Sequence, residues 1–211
     1  MHDIVRFGSA LLVLTSVACD NNPSKGKTQA ATTEAVATAS VTAAGAPYTF
    51  SNADSKLEFV GAKVTRKHDG SFKTFSGRVN LVDADPTKSS VSATIDIGSI
   101  QTDEEKLTGH LKSPDLLDVA KFPQATFSST AIKAGGERGA THTVTGNLQL
   151  HGVTKSISFP ATIKSGADAV DLDAEFAINR KDFGIVYPGM PDDLIKDDVL
   201  LKLQVHAKKA G

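Results

Sequence analysis

The sequence predicts an all-β fold, an eight-stranded antiparallel barrel with one short helical insertion. Three observations predict it. From residue 47 onward, apolar residues recur at every second position in eight separate runs, with polar residues between them. Glycine, aspartate and proline turn chemistry separates the runs. A single stretch, inside residues 94–127, abandons that period and reads as a helix.

The first run is Leu57, Phe59 and Gly61, and the second is Phe75, Gly77, Val79 and Leu81. Val91, Ala93, Ile95 and Ile97 make the third, and Ala125, Phe127, Ser129 and Ala131 a weaker fourth. The fifth is Val144, Gly146, Leu148 and Leu150, and the sixth Ile157, Phe159, Ala161 and Ile163. Leu172, Ala174, Phe176 and Ile178 form the seventh, and Val199, Leu201, Leu203, Val205 and Ala207 the eighth. The alternate positions are polar, as in Asp171, Asp173, Glu175 and Asn179, so each strand has one apolar and one wet face. Turns are expected at His68-Asp69-Gly70, Asp83-Ala84-Asp85-Pro86, Gly135-Gly136-Glu137, His151-Gly152 and Ser165-Gly166-Ala167-Asp168.

Eight long alternating runs favour a closed barrel, which has no exposed edges, over a sandwich. A barrel of this size is either filled by its own side chains or holds one small ligand. The density of Lys, Asp and Glu on the polar faces places those faces in water and the apolar ones inside, the reverse of a transmembrane barrel.

The helical stretch opens on Thr102-Asp103-Glu104-Glu105, which fits a capping box with Thr102 at the N-cap. Leu107 and Leu111 share a face, Ser113-Pro114 restarts a turn, and Phe122-Pro123 returns the chain to a strand. Two roles are open to it, a crossover packed on the barrel end or a lid over a cavity mouth.

The N-terminus reads as an address. Residues 7–17 (FGSALLVLTSV) are apolar but shorter than the ~20 residues of a membrane span, which suits residues 1–18 as a secretory signal. The only cysteine, Cys19, follows directly, and Ser16-Val17-Ala18-Cys19 resembles a bacterial lipobox. Acylation at Cys19 would anchor the chain to a membrane; cleavage at a nearby site would instead leave it free in the periplasm. Residues 19–46 then read as the lipidated cysteine and a flexible linker, rich in Ala, Thr and Ser and poor in large apolar side chains. Residues 47–211 are the barrel.

A formal net charge of −1, with no basic excess, argues against a nucleic-acid partner. The six histidines form no ligand cluster, so no metal is expected, and no nucleophile–base constellation is readable. The chain does not read as an enzyme. Its oligomeric state is not fixed by the sequence, and a homodimer is open.

Several ordered motifs resemble one known family. They are Ser99-Ile100-Gln101-Thr102, His110-Leu111-Lys112-Ser113-Pro114-Asp115, Gly146-Asn147-Leu148-Gln149-Leu150-His151-Gly152-Val153-Thr154 and Ile178-Asn179-Arg180-Lys181-Asp182-Phe183-Gly184. Together they look like the YceI-like family of bacterial envelope proteins, over about residues 48–207. The resemblance implies a lipocalin-like barrel whose apolar tunnel holds a long-chain isoprenoid or similar amphiphilic lipid, without enzymatic activity, on the periplasmic side of the cell envelope. Where family members carry a His-Ser pair before the first strand, this chain has Asp54-Ser55; Lys63 or Val64 stands at the second histidine position, with His68 offset from it.

The phenylalanines of the apolar faces supply bulk, and Gly61, Gly77 and Gly146 leave space or permit strong strand coil. From the residues alone a solid core is favoured, since that is the commoner fate of buried phenylalanines; the protein would then be a filled barrel with a structural or interaction role in the envelope and no ligand. With the resemblance, the expected ligand-binding lining is Phe59, Phe75, Val79, Ile95, Phe127, Leu148, Phe159, Phe176, Ile178, Leu201 and Leu203. The ligand is held non-covalently and no cofactor is expected.

Overall fold

The structure, a computed structural model, describes residues 21–37 and 45–210. Residues 1–18, read above as a secretory signal, and Cys19 lie outside the described residues. In chain order the strands are β1 (Ala31–Glu34), β2 (Ala46–Ser51), β3 (Lys56–Ala62), β4 (Lys67–Phe72), β5 (Phe75–Val82), β6 (Asp85–Asp96) and β7 (Ile100–Thr102). Helix α1 (Glu105–Lys112) follows. Then come β8 (Gln124–Ala134), β9 (His142–Leu150), β10 (Val153–Ser165) and β11 (Ala169–Asn179). A two-residue pair, β12 (Gly189–Met190) and β13 (Asp193–Leu194), precedes β14 (Asp198–Lys209).

These strands build eight staves of an antiparallel up-and-down barrel. The first three staves are each broken once: β2 with β3, β4 with β5, and β6 with β7. Each stave pairs with the next, and β14 closes the ring by pairing with β11 on one side and with β2 and β3 on the other. The eight apolar runs of the sequence fall one to a stave.

The breaks are bridged by side chains that stand in for missing ladder bonds. Between β2 and β3, Ser55 is buried and its Oγ accepts from the His206 amide at 3.0 Å. Opposite the second break, Ser99 Oγ accepts from the Lys73 and Thr74 amides at 3.2 and 3.0 Å. Interruptions of this kind let a strand bend sharply and increase its coil.

The tight turns follow their chemistry. Asp83 and Ala84 (φ 53° and 57°) join β5 to β6, and His151 and Gly152 (φ 52° and 75°) join β9 to β10. Positive φ at both central residues is the hairpin geometry that matches strand twist.

Four sequence expectations need correction. His68-Asp69-Gly70 is not a turn but lies within β4, opposite Gly61, Val60 and Phe59. Gly70 serves close approach: the Phe59 ring lies over it, where a Cβ would collide. In β8 the register shifts between Ser129 and Ala131, so Ile132 rather than Ala131 is buried and lines the interior. Thr102 does not cap α1. It is held in β7 opposite Gly70, two residues before the N-cap Glu104, and its amide donates to Thr108 Oγ1 from inside the helix at 2.9 Å.

The fourth correction concerns the linker. Of its described residues, 21–37 are not a slack tether, and Ala46 already belongs to β2. Strands β10 and β11 pair only from Thr162 to Ser165 and from Val170 to Asp173; beyond that they diverge. Into the resulting seam goes β1, antiparallel to β10, with Ala31 opposite Ser158 and Glu34 opposite Lys155. Just before it, the Ala30 amide donates to the Ala177 carbonyl and the Ala177 amide to the Thr28 carbonyl, both at 2.8 Å. Ala30 is buried in the core, and Ser156 and Ala177, on the outward phase of their strands, are buried too. Ion pairs flank the insertion, Lys27–Glu175 and Lys155–Glu34, each at 2.6 Å. Backbone groups left unpaired by the diverging strands supply the attraction, so large apolar side chains are not needed.

Candidate functional site

The staves enclose a cavity of about 560 Å³. All eleven lining residues named from the sequence face it, contributed by β3, β5, β6, β8, β9, β10, β11 and β14. Inward alternation on a closed sheet brings them together although they are spread over most of the chain. The aromatic lining is grouped. Phe159 stacks on Phe176 with centroids 4.1 Å apart, and Phe127 leans against Phe159 at 5.9 Å. Nearer the upper end Phe59 and Phe72 meet at 5.7 Å.

The sequence reading missed Phe50 and Phe72, because β2 and β4 were not recognised as strands. It also missed Ile185, Tyr187 and Met190, which come from the loop before β14. Of the three glycines expected to leave space, only Gly61 does so, with nothing within 4 Å of where a Cβ would stand. At Gly77 and Gly146 the rings of Phe50 and Phe127 occupy that space.

The two ends differ. At the lower end, turns are tied together: Tyr48 Oη donates to the Gly166 and Ala167 carbonyls at 3.2 and 3.0 Å, and Ser165 Oγ donates to the Ala84 carbonyl at 2.8 Å. At the upper end lie α1 and the loop from residue 184 to 197. Leu107 and Leu111 of α1 line the cavity, as do Leu116 and Leu117 after it. The helix therefore covers part of the mouth.

Of the polar groups lining the cavity, Lys63, Glu104, Lys106, His110 and Asp193 gather at this mouth. His68, just inside, is buried rather than solvated, with Nδ1 2.9 Å from Asp103 Oδ1. His110 contacts Asp115 at 3.2 Å and meets the Tyr187 ring edge-on at 5.2 Å. Lys63 and Asp193 form an ion pair at 2.7 Å, and Asp193 Oδ1 also accepts from the Thr65 amide and hydroxyl. These bonds, Lys63 foremost, hold the Asp193 carboxyl below its ordinary pKa.

Arg180 sets the mouth loop. It is 5 % exposed and donates to the carbonyls of Ile185 (2.6 Å) and Lys196 (3.2 Å) and to Asp197 (3.3 Å). Burial lowers its pKa and the Asp197 charge opposes that shift. Among the described residues, no group of three His, Cys, Asp or Glu is placed to hold a metal.

An apolar barrel with a covered, polar mouth has room for a hydrocarbon chain, and comparison with known proteins identifies the family. The YceI-like domain model matches residues 48–207. The chain belongs to the YceI-like domain family. A UPF0312 protein of Pseudomonas putida (strain W619) is 37% identical over 136 residues, covering 62% of this chain and 70% of that protein. Among solved structures, Burkholderia cenocepacia BcnA superposes with a TM-score of 0.65 at 27% identity, covering 74% of this chain and 98% of BcnA. A domain of Saccharophagus degradans described as polyisoprenoid binding superposes with a TM-score of 0.61 at 19% identity, covering 78% of this chain and 99% of that one. That last likeness concerns the fold alone. The inserted segment at residues 21–37 lies outside the matched YceI-like region.

Proposed function

We propose that this YceI-like protein binds a long-chain isoprenoid or similar amphiphilic lipid in the barrel, tail inward and head group at the mouth. It carries or stores that lipid in the cell envelope, on the periplasmic side, held to the membrane through an acylated Cys19, and it catalyses no reaction. The observation that carries this reading is the cavity itself: the inward residues of all eight staves leave about 560 Å³ free, with Lys63, Glu104, Lys106, His110 and Asp193 gathered at one end. A filled barrel serving as an envelope interaction protein, the other reading of the sequence, needs no such space. The YceI-like family is one of binding domains, and the description of the Saccharophagus relative supports the ligand class. Each methylene transferred from water is worth ~0.8 kcal/mol, so a long tail needs few polar contacts.

Native mass spectrometry of protein purified from membranes tests it. A bound species of isoprenoid mass is expected, and a ligand-free protein that takes up no lipid when offered would overturn the reading. Anchoring is tested separately, by whether Cys19→Ser releases the protein from the membrane fraction.

A further inference from the structure

Among the described residues, the exposed large hydrophobic side chains are Val36, Val64, Val186, Met190 and Leu194. Four of the five sit on the two loops that frame the mouth, with exposures of 49%, 63%, 62% and 47% for Val64, Val186, Met190 and Leu194. The loops are tied to each other, since the Val64 amide donates to the Leu194 carbonyl at 3.0 Å and the Lys196 amide to the Ala62 carbonyl at 2.8 Å. The patch is therefore a built surface. It is continuous with the cavity, because Met190 also lines the interior.

Where the chain enters the fold is the second observation. Asn21, the first described residue, donates from Nδ2 to the Val64 carbonyl at 2.8 Å, and Ser24 Oγ contacts Asp198 Oδ2 at 2.5 Å. The described chain thus enters the barrel at its mouth rim, at Asn21, two residues after Cys19 in the sequence. Any membrane attachment at Cys19 tethers the barrel by this end.

The charges decide what kind of surface the rim meets. Lys63 is paired with Asp193 at 2.7 Å, and Arg66 faces Asp103 and Glu104 at 4.0 and 3.6 Å. Lys106 also stands at the mouth, but the cations beside Val64 and Leu194 are matched, so there the attraction is carried by apolar area, as for interfacial segments that bury side chains at the headgroup boundary.

We propose that the rim is a membrane-docking face. Val64, Val186, Met190 and Leu194 insert into the interface of a lipid bilayer, so the mouth opens onto lipid and a tail passes between bilayer and cavity without crossing water. This rests on the lipid-binding reading for its purpose, though its test does not.

The test uses the full chain with Cys19→Ser, which removes the only cysteine. An environment-sensitive fluorophore is attached at Val186→Cys on the rim or, as control, at Ala167→Cys at the opposite end. Phosphatidylcholine vesicles are added at low and high salt. The expected result is a blue shift and quenching by bilayer-embedded quencher for the rim probe alone, undiminished by salt. Adding Leu194→Ser and Val64→Ser to the rim-probe protein should cut the response at least fivefold. Equal responses from the two probes, no response, or one abolished by salt would overturn the proposal. So would a concentration-dependent shift without vesicles, which would make a second copy the occupant. If the rim probe responds but native mass spectrometry finds no lipid taken up, the docking face stands and the lipid-carrier reading falls.

Discussion

Phe159 and Phe176 lie face to face across the barrel seam, with ring centroids 4.1 Å apart and planes 11° from parallel. Their strands, β10 and β11, exchange no ladder pair at that level, because pairing stops at Thr162 and Asp173. Continued in register, that ladder would have placed the two residues opposite each other. Inside the wall the seam is thus closed by aromatic contact, and outside it by the inserted N-terminal segment.

The stack should therefore carry both stability and wall integrity. Phe176 is 1% exposed, and Phe176→Ala should destabilise the fold by about 3–5 kcal/mol, the usual cost of a large core truncation. The check is a denaturant titration. Faster amide exchange in residues 28–34 and 155–158 than elsewhere would locate the damage at the seam.

Gly61 and Gly77 should respond in opposite ways to the same substitution. A Cβ added at Gly61, which lines the cavity, would have nothing within 4 Å. Gly61→Leu should keep the thermal midpoint within a few degrees while lowering retention of lipid at least tenfold by native mass spectrometry. At Gly77 a Cβ would stand 2.6 Å from the Ser92 carbonyl oxygen and collide with the Phe50 ring. Gly77→Leu should fail to fold or lose several kcal/mol.

The inserted strand should be separable from the barrel. Ala30 is 4% exposed in the core, so Ala30→Asp places an unpaired carboxyl where a methyl group packs. Protection of residues 28–34 against amide exchange should be lost. β14 still closes the ring and β10 still pairs with β11 at the lower end, so most of the barrel should stay protected. Global unfolding at the same step would show that the segment is integral to the wall.

Acid should loosen the mouth at one identifiable lock. The Asp193 carboxyl is held below its ordinary pKa, first by Lys63 and then by Thr65. A carboxyl whose folded pKa is depressed stabilises the folded contact fully above its unfolded value. That contribution is lost as pH falls through the lower, folded one. The Val64 amide, bonded to the Leu194 carbonyl beside this lock, should keep its protection through the neutral and mildly acidic range. Its protection, taken relative to the intrinsic exchange rate at each pH, should fall only under strongly acidic conditions. Asp193→Asn should raise the exchange rate already at neutral pH and flatten the acid dependence.

What the sequence made readable was the inward face. Period-2 alternation is imposed by the pleat, so Phe75, Ile95, Phe159 and Leu203 could be placed on one interior without knowing their neighbours. The broken halves of the first staves were less readable. β4 spells Lys-His-Asp-Gly-Ser-Phe, and its glycine looks like turn chemistry because the reason for it, the Phe59 ring, lies on another strand. The Thr130 irregularity has no local signature either, since it adjusts the register of β8 against β9. Residues 28–34 carry the composition of a linker, and they are ordered by a demand that arises only when β10 and β11 diverge. Relations between distant strands escape a reading made along the chain.

The seam also imposes an order of events. Thr28 and Ala30 bond to Ala177, and β1 pairs with residues 155–158. The earliest-made part of the folded unit thus waits on some of the latest. A chain delivered N-terminus first, from a ribosome or through a translocation pore, cannot complete this wall until residue 177 has arrived. Until then the segment's pairing partners on β10 and β11 are missing, and only a barrel whose other staves have formed offers it a place.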